Sequence, residues 1–146
     1  MTTKTIPLIT SGISGPLGVL HLPRLWQKGS LSNVGKLNSE YPAIGGGFDQ
    51  MVLDALEISN DTFKIFMQGK PSYPQLEAWI LEQKGGALDA AAVTALNAGI
   101  VGFKHADETR IEILAASGIE DDGLILDAVS LNNLDDWQSF HAQEIV

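Results

Sequence analysis

The chain has 146 residues, of which 45% are hydrophobic and 18% charged, with no cysteine and a net charge of −9 at neutral pH. These values exclude disulfide scaffolds, thiolate catalysis and cysteine-ligated metal centres, and the negative charge disfavours nucleic acid and anionic membranes as partners. The length and composition are typical of one globular domain. We therefore expect a single domain over residues 1–146, with residues 1–14 as an extended arm.

The first ten residues, MTTKTIPLIT, lack the apolar core of a secretory signal, and no apolar run approaches the ~20 residues of a membrane span. We therefore expect a soluble, cytoplasmic protein. Charge is distributed unevenly, because residues 1–39 contain four bases and no acid, whereas residues 85–146 contain eleven acids and two bases. Two explanations stay open: the basic segment pairs with the acidic C-terminal part, or its cations line a cleft and hold an anion.

The first helix is predicted to begin at Pro23, because proline suits the first turn of a helix, where its missing N–H group is not needed. Arg24 and Lys28 then lie one turn apart on the same face, which is unfavourable for like charges unless an anion or an acid lies between them. His21 directly precedes this helix, and Trp26 projects from another face, toward the core. These four polar and aromatic side chains are candidate ligand-binding residues.

Three glycines precede the second helix, which an apolar stripe at helical spacing predicts over residues 47–58. A phosphate-binding loop is disfavoured because Phe48 and Asp49 follow the glycines in place of the Lys-Ser/Thr pair of such loops. An aspartate at a helix N-terminus would also occupy the N–H groups that an anion needs. Asp49 is either a simple N-cap or a general base in a cleft, and it is the one catalytic candidate.

The remaining helices are predicted from capping residues, C-terminal glycines and helical periodicity. They are expected within residues 59–69, 73–84, 89–103 and 106–117, with a short final helix within residues 131–145. Residues 4–10 and 123–131 are predicted to be extended. We therefore expect a mostly α fold, a compact single-domain bundle of about five to six helices with extended N-terminal and C-terminal segments.

Four sequence blocks carry a resemblance to a known family. They are LPRLWQK at residues 22–28, DQMVLDALEI at residues 49–58, DETR at residues 107–110 and the aspartate-rich stretch 127–136, with a tryptophan helix around Trp79 between the second and third. In order and spacing these blocks resemble the bacterial family catalogued as domain of unknown function 5069. The resemblance spans roughly 120 residues and implies shared architecture more than activity.

The chain departs from the pattern of that family at three polar positions. Gln27 stands where family members carry an aspartate, Ser30 where they carry an arginine, and Leu96 where they carry a tryptophan before Asn97. If those positions form a shared site in the family, this chain has altered it.

Other candidate site residues are aromatic or amide side chains. Tyr41, Phe48 and Trp26 are candidate walls of an apolar pocket. Asn97, a polar residue in an alanine-rich helix, either braces a neighbouring backbone or contacts a ligand, because a buried amide needs hydrogen-bond partners. The three histidines are far apart in sequence and no metal-ligand spacing is present, so we expect neither a metal nor a cofactor.

These residues predict a soluble small-molecule-binding domain whose ligand is a small anionic metabolite. Two alternatives stay open. One is a cofactor-independent isomerase, cyclase or hydrolase in which Asp49 acts as the base and Arg24 or Lys28 stabilises negative charge. The other is an interaction protein whose acidic C-terminal surface meets a basic partner. Assembly into a homo-oligomer is left open as well.

Overall fold

The computed structural model describes residues 4–146, and in this range it contains seven α-helices. These are α1 (Leu22–Asn33), α2 (Phe48–Leu56), α3 (Asn60–Met67), α4 (Tyr73–Gln83), α5 (Ala90–Gly102), α6 (Asp107–Ala116) and α7 (Ala128–Phe140), which continues into a π-helical turn, His141–Ile145. The same residues form no β-strand, only isolated bridges of Thr5 with Leu37 and of Lys104 with Asp127. The expected mostly α fold is confirmed, with slightly more helices than predicted.

The two longest helices, α5 and α7, have 13 residues each. None of the helices in residues 4–146 combines the length and the apolar character needed to cross a membrane.

Helix α1 lies at the centre of the fold and packs against α2, α3 and α4, while α5 packs against both α2 and α7. The apolar residues Leu22 and Leu25 of α1 are fully buried in the main hydrophobic core. Most other core side chains come from the following helices, and Val19 and Ile58 come from the segments before α1 and after α2; the helical ones are Val52, Leu53, Leu56, Phe63, Met67, Leu76, Ile80, Leu96 and Ile100. Helix α7 packs against α5 and α6 and so lies beside this core, which leaves space for a cavity between α7, α1 and α2.

The segment before α1 has no regular secondary structure and is held by side chains of α1. Arg24 donates hydrogen bonds to the carbonyl oxygens of Pro7 and Ile9 at 3.2 and 3.0 Å, and Gln27 Oε1 accepts one from the Ile9 N–H at 3.1 Å. These bonds satisfy backbone groups that have no sheet partner. The first three residues of the expected N-terminal arm lie outside the described residues.

Side-chain caps define where several helices begin. Ser72 and Gln75 form a reciprocal capping box at α4, and Asp89 caps α5 through the amides of Ala91 and Ala92. Asp127 caps α7 by accepting a hydrogen bond from the Ser130 N–H at 2.9 Å. The prediction of an extended segment over residues 123–131 is therefore wrong for residues 128–131, which are helical, whereas residues 123–127 have no helix.

Candidate functional site

A cavity of about 300 Å³ opens between α1, α2, α7, the end of α5 and the loop of residues 40–47. Helix α1 places three polar residues at its wall, because His21, Arg24 and Lys28 follow one another at intervals of three and four residues. All three are buried, with 3%, 7% and 6% of their surfaces exposed. Buried charges are costly unless they are paired, so their partners decide what this wall can do.

Asp49, in the first turn of α2, is the partner of two of these residues. Its Oδ1 lies 2.5 Å from His21 Nε2, and its Oδ2 accepts hydrogen bonds from Lys28 Nζ at 2.5 Å and from the Gly45 N–H at 2.7 Å. Burial alone would raise the pKa of Asp49, but the hydrogen bond from His21 and the nearby charge of Lys28 together hold that pKa below its usual range. Asp49 is therefore a carboxylate whose two oxygens are both occupied.

His21 is held on both ring nitrogens. A carboxylate only accepts hydrogen bonds, so Nε2 carries the proton shared with Asp49, and Nδ1 accepts from the hydroxyl of Ser11 at 2.8 Å. Burial lowers the pKa of His21 despite the opposing influence of Asp49, and the ring is therefore neutral at neutral pH. His21 also has a left-handed backbone, with φ of 71°, which turns the chain into α1.

Arg24 forms the second buried ion pair of the cavity, with Asp136 on α7. Its Nη1 and Nη2 donate to the two carboxylate oxygens at 2.6 and 3.1 Å, a bidentate arrangement. The Tyr41 hydroxyl also donates to Asp136, at 3.1 Å, and the Arg24 guanidinium lies 5.9 Å from the centre of the Tyr41 ring. Burial raises the pKa of Asp136 although Arg24 opposes the shift, and burial raises the pKa of Tyr41 as well.

Aromatic rings form the apolar wall of the cavity. Phe48 lies edge-to-face with His21 on one side and with Phe103 on the other, at centroid distances of 5.5 and 5.7 Å. Phe103 in turn lies edge-to-face with His105 at 6.2 Å, and His105 Nε2 is 2.7 Å from Asn132 Oδ1 on α7. Four rings in series therefore run from α1 to the end of α5.

Two exposed acids, Glu40 and Asp135, complete the lining. Within residues 4–146 no group donates a hydrogen bond or forms an ion pair with either carboxylate. Burial, the neighbouring Asp136 and Glu40 raise the pKa of Asp135. The lining carries four acidic residues, Glu40, Asp49, Asp135 and Asp136, against the two basic residues Arg24 and Lys28, so acids outnumber these cations by two.

The structure brings most of the residues predicted from the sequence to this one cavity. The residues that line it are His21, Arg24, Lys28, Tyr41, Phe48 and Asp49. Trp26 and Asn97 do not line it. Trp26 donates its indole N–H to the carbonyl oxygen of Pro71 at 3.0 Å, and Asn97 bonds the Leu20 N–H and the Gly18 carbonyl oxygen at 3.0 and 2.8 Å.

Reasoning from the sequence missed the contribution of α7. Ala128, Asn132, Asp135 and Asp136 line the cavity and repeat at helical spacing, so they share one face of the helix. That spacing is a signal in the sequence, but it requires a helix beginning at Ala128, which was predicted to be extended. Met51 on α2 and Phe103 and His105 after α5 were missed too, because side chains from these separate segments meet only in the folded chain.

Gln27, Ser30 and Leu96, the three positions at which the predicted resemblance breaks, lie outside the cavity lining. Gln27 holds the N-terminal segment through Ile9, Leu96 is 6% exposed in the core, and Ser30 Oγ is buried without a hydrogen-bond partner among the described residues. Gln27 and Ser30 lie on α1 and Leu96 lies in the core on α5, so none of the three positions contributes to the cavity wall.

No cluster of three or more His, Asp or Glu side chains within residues 4–146 has the geometry to hold a metal ion. Comparison with family models, with curated proteins and with solved structures finds no match for this chain.

Proposed function

We propose that this chain is a small-molecule-binding domain and that its ligand occupies the cavity between α1, α2 and α7. The observation that carries the proposal is that fixed polar groups and an apolar aromatic wall meet around one open space of about 300 Å³. Such a combination of a mostly apolar concave surface with a few positioned polar groups is typical of ligand sites. The polar groups are held in place, since each side chain of His21, Arg24 and Asp49 forms hydrogen bonds with at least two partners.

The charge of the cavity bears on the kind of ligand. Arg24 and Lys28 were predicted to attract an anionic metabolite, but each already faces a buried carboxylate, Asp136 and Asp49 respectively. Lys28 Nζ has three N–H groups and one bond to Asp49, so it is able to donate to an oxygen of a ligand as well. These contacts favour a ligand with acceptor atoms and without a net negative charge.

Binding is favoured over catalysis by the state of the two best candidate bases. A general base needs an accessible lone pair and a pKa near the working pH. The Asp49 carboxylate already accepts three hydrogen bonds at its roughly four acceptor sites and its pKa is lowered, while both nitrogens of His21 are engaged in a buried chain with Ser11 and Asp49. We therefore propose a role in binding for both residues.

Two parts of the proposal, the cellular location and the family resemblance, depend on the sequence alone. A chain without cysteine suits a reducing compartment, which is why we propose a cytoplasmic location. The resemblance to domain of unknown function 5069 remains a prediction carried by the four sequence blocks.

A thermal-shift screen tests the proposal. The purified chain is mixed with small organic amines, polyols and carboxylates, and a compound that binds only the folded state at 100 times its Kd raises the free energy of unfolding by about 2.7 kcal/mol. We expect the Phe103→Ala variant, which removes part of the aromatic wall, to lose this stabilisation.

The matched control is Phe140→Ala, because Phe140 is a similarly exposed phenylalanine, 37% against 48% for Phe103, that does not line the cavity. This variant should retain the full ligand-induced shift. The proposal fails if no compound of any charge stabilises the wild type, or if both variants respond to the ligand in the same way.

A further inference from the structure

We propose that the ligand of this cavity is a small organic ammonium compound, held by cation–π contact with the aromatic wall and by the carboxylates of Asp135 and Glu40. This inference rests on the proposed binding function and names the ligand class.

The aromatic wall is the first observation. Phe48, Phe103 and Tyr41 line one cavity, and an ammonium group within ~6 Å of a ring centre is attracted by the negative face of the ring. The cavity already contains one such contact, because the Arg24 guanidinium lies 5.9 Å from the centre of the Tyr41 ring. Groups of aromatic rings around a concave space are the usual receptors for alkylated ammonium ions.

The charge of the lining is the second observation. Both cations of the wall are compensated by short, buried contacts, Arg24 by Asp136 and Lys28 by Asp49. The carboxylates of Asp135 and Glu40 are exposed and have no partner among residues 4–146. A cationic ligand is the partner that these two carboxylates lack, and it would neutralise the excess negative charge of the cavity.

The apolar part of the lining decides between an organic and an inorganic cation. Met51, Ala128, Phe48 and Phe103 offer no ligand atoms that suit a hard metal ion, and no cluster of metal-ligating side chains is present in the described part of the chain. The cavity is also far larger than a single ion needs. Alkyl groups around a cationic nitrogen would bury against this apolar surface.

Three probes of nearly the same shape and different charge test the inference. Choline carries a permanent positive charge, and neohexyl alcohol is its neutral carbon isostere. The corresponding anion is tert-butylacetate, the carboxylate 3,3-dimethylbutanoate. In calorimetric or NMR titrations at low salt, we expect choline to bind at least about tenfold more tightly than neohexyl alcohol, and tert-butylacetate to bind most weakly.

Variants assign the charge effect to the cavity. Asp135→Asn retains the shape of an exposed side chain and should weaken choline binding about threefold to tenfold, with little effect on neohexyl alcohol. The control Asp61→Asn removes an exposed carboxylate on α3, outside the cavity lining, and should leave both affinities unchanged.

The outcomes separate the inference from the proposed function. Equal affinities for choline and its neutral isostere, tighter binding of the anion, or equal effects of the Asp135 and Asp61 variants would each overturn the ammonium assignment. If choline fails while other compounds of the thermal-shift screen bind at Phe103, the ligand class is wrong and the binding function stands. If no compound binds at all, both fail.

Discussion

The two faces of α1 are both buried, but they are buried against different surroundings. One face presents Leu22 and Leu25, which are fully enclosed by apolar side chains, and Gly29, whose small size lets Met67 approach closely. The other face presents Arg24 and Lys28, each bound to a carboxylate at the cavity. The same helix therefore contributes to the core on one side and to the cavity wall on the other.

The comparison indicates which face of α1 contributes more to the free energy of unfolding. Burial of an apolar side chain such as Leu25 contributes about 1.5–3 kcal/mol. A buried ion pair contributes much less on balance, because the loss of hydration offsets most of the attraction between the charges. The polar face is thus costly to disrupt but adds little net stability, which is consistent with a role in shaping the cavity.

The largest effect is expected for Asp49→Ala. This change removes the carboxylate that neutralises Lys28 and accepts from His21 and the Gly45 N–H, and so leaves two buried donors and one half-buried donor without an acceptor. Breaking a buried pair in this way costs about 3–5 kcal/mol. Urea unfolding measures the loss, and a cost below about 1 kcal/mol would mean that water replaces the carboxylate readily.

On the apolar face, Leu25→Ala should cost slightly less, about 3 kcal/mol, from lost burial and the cavity left in the core. The same unfolding experiment measures it. Ligand binding should be unaffected in the folded variant, because Leu25 does not line the cavity. A large loss of binding at unchanged fold would contradict the separation of the two faces.

A double variant distinguishes the faces most sharply. Asp136→Leu alone should cost about 3 kcal/mol, because it leaves Arg24 buried without its carboxylate, whereas Arg24→Met together with Asp136→Leu should recover part of that loss. The recovery is incomplete, because the carbonyl oxygens of Pro7 and Ile9 and the Tyr41 hydroxyl lose their partners in the double variant. Replacing both charges by apolar groups removes the cost of burying them. If the double variant is as unstable as the single one, the ion pair itself stabilises the fold.

The sequence predicted the helices and one side of the cavity, because both depend on local patterns. Pro23 indicated the start of α1, and the spacing of Arg24 and Lys28 predicted that both would face partners on one surface. The partner Asp136 lies 112 residues further along the chain. The charge distribution offered pairing of the basic and acidic parts as one of two explanations, but no local pattern identifies a particular contact at that distance.

The start of α7 is a local feature that the sequence analysis predicted wrongly. Residues 123–131 alternate weakly between apolar and polar side chains, which favoured an extended conformation. In the folded chain, Asp127 caps the helix through Ser130 and the chain is helical from Ala128. A capping residue followed by a helical stripe therefore outweighed a weak alternation of period two.

A smaller effect is expected from pH. Because burial lowers the pKa of His21 in the folded protein, the unfolded chain binds the proton more tightly. The contribution of His21 to the free energy of unfolding is therefore fully present above about pH 6.5. It is lost as the pH falls from there toward the pKa of His21 in the folded protein. Asp49, whose pKa is also lowered, loses its contribution only below about pH 4.

Thermal unfolding at several pH values measures this, with His21→Asn as the comparison, since asparagine tolerates the left-handed backbone at this position. The wild type should lose stability between about pH 7 and pH 5 relative to the variant. The raised pKa values of Asp135 and Asp136 act in the opposite direction, because acidification stabilises a folded state that binds those protons more tightly. Parallel profiles of stability against pH for the two proteins would show that His21 is not the group responsible for the loss.

The central claim is that the polar face of α1 serves a cavity that receives a cationic small molecule. An NMR titration of the isotope-labelled protein with choline tests it most directly. The account predicts backbone amide shifts concentrated at Gly45, Gly47, Phe103 and His105, which lie at the cavity, and none at the core residues around Phe63. Shifts that are absent at saturating choline, or that are confined to surfaces away from this cavity, would contradict the account.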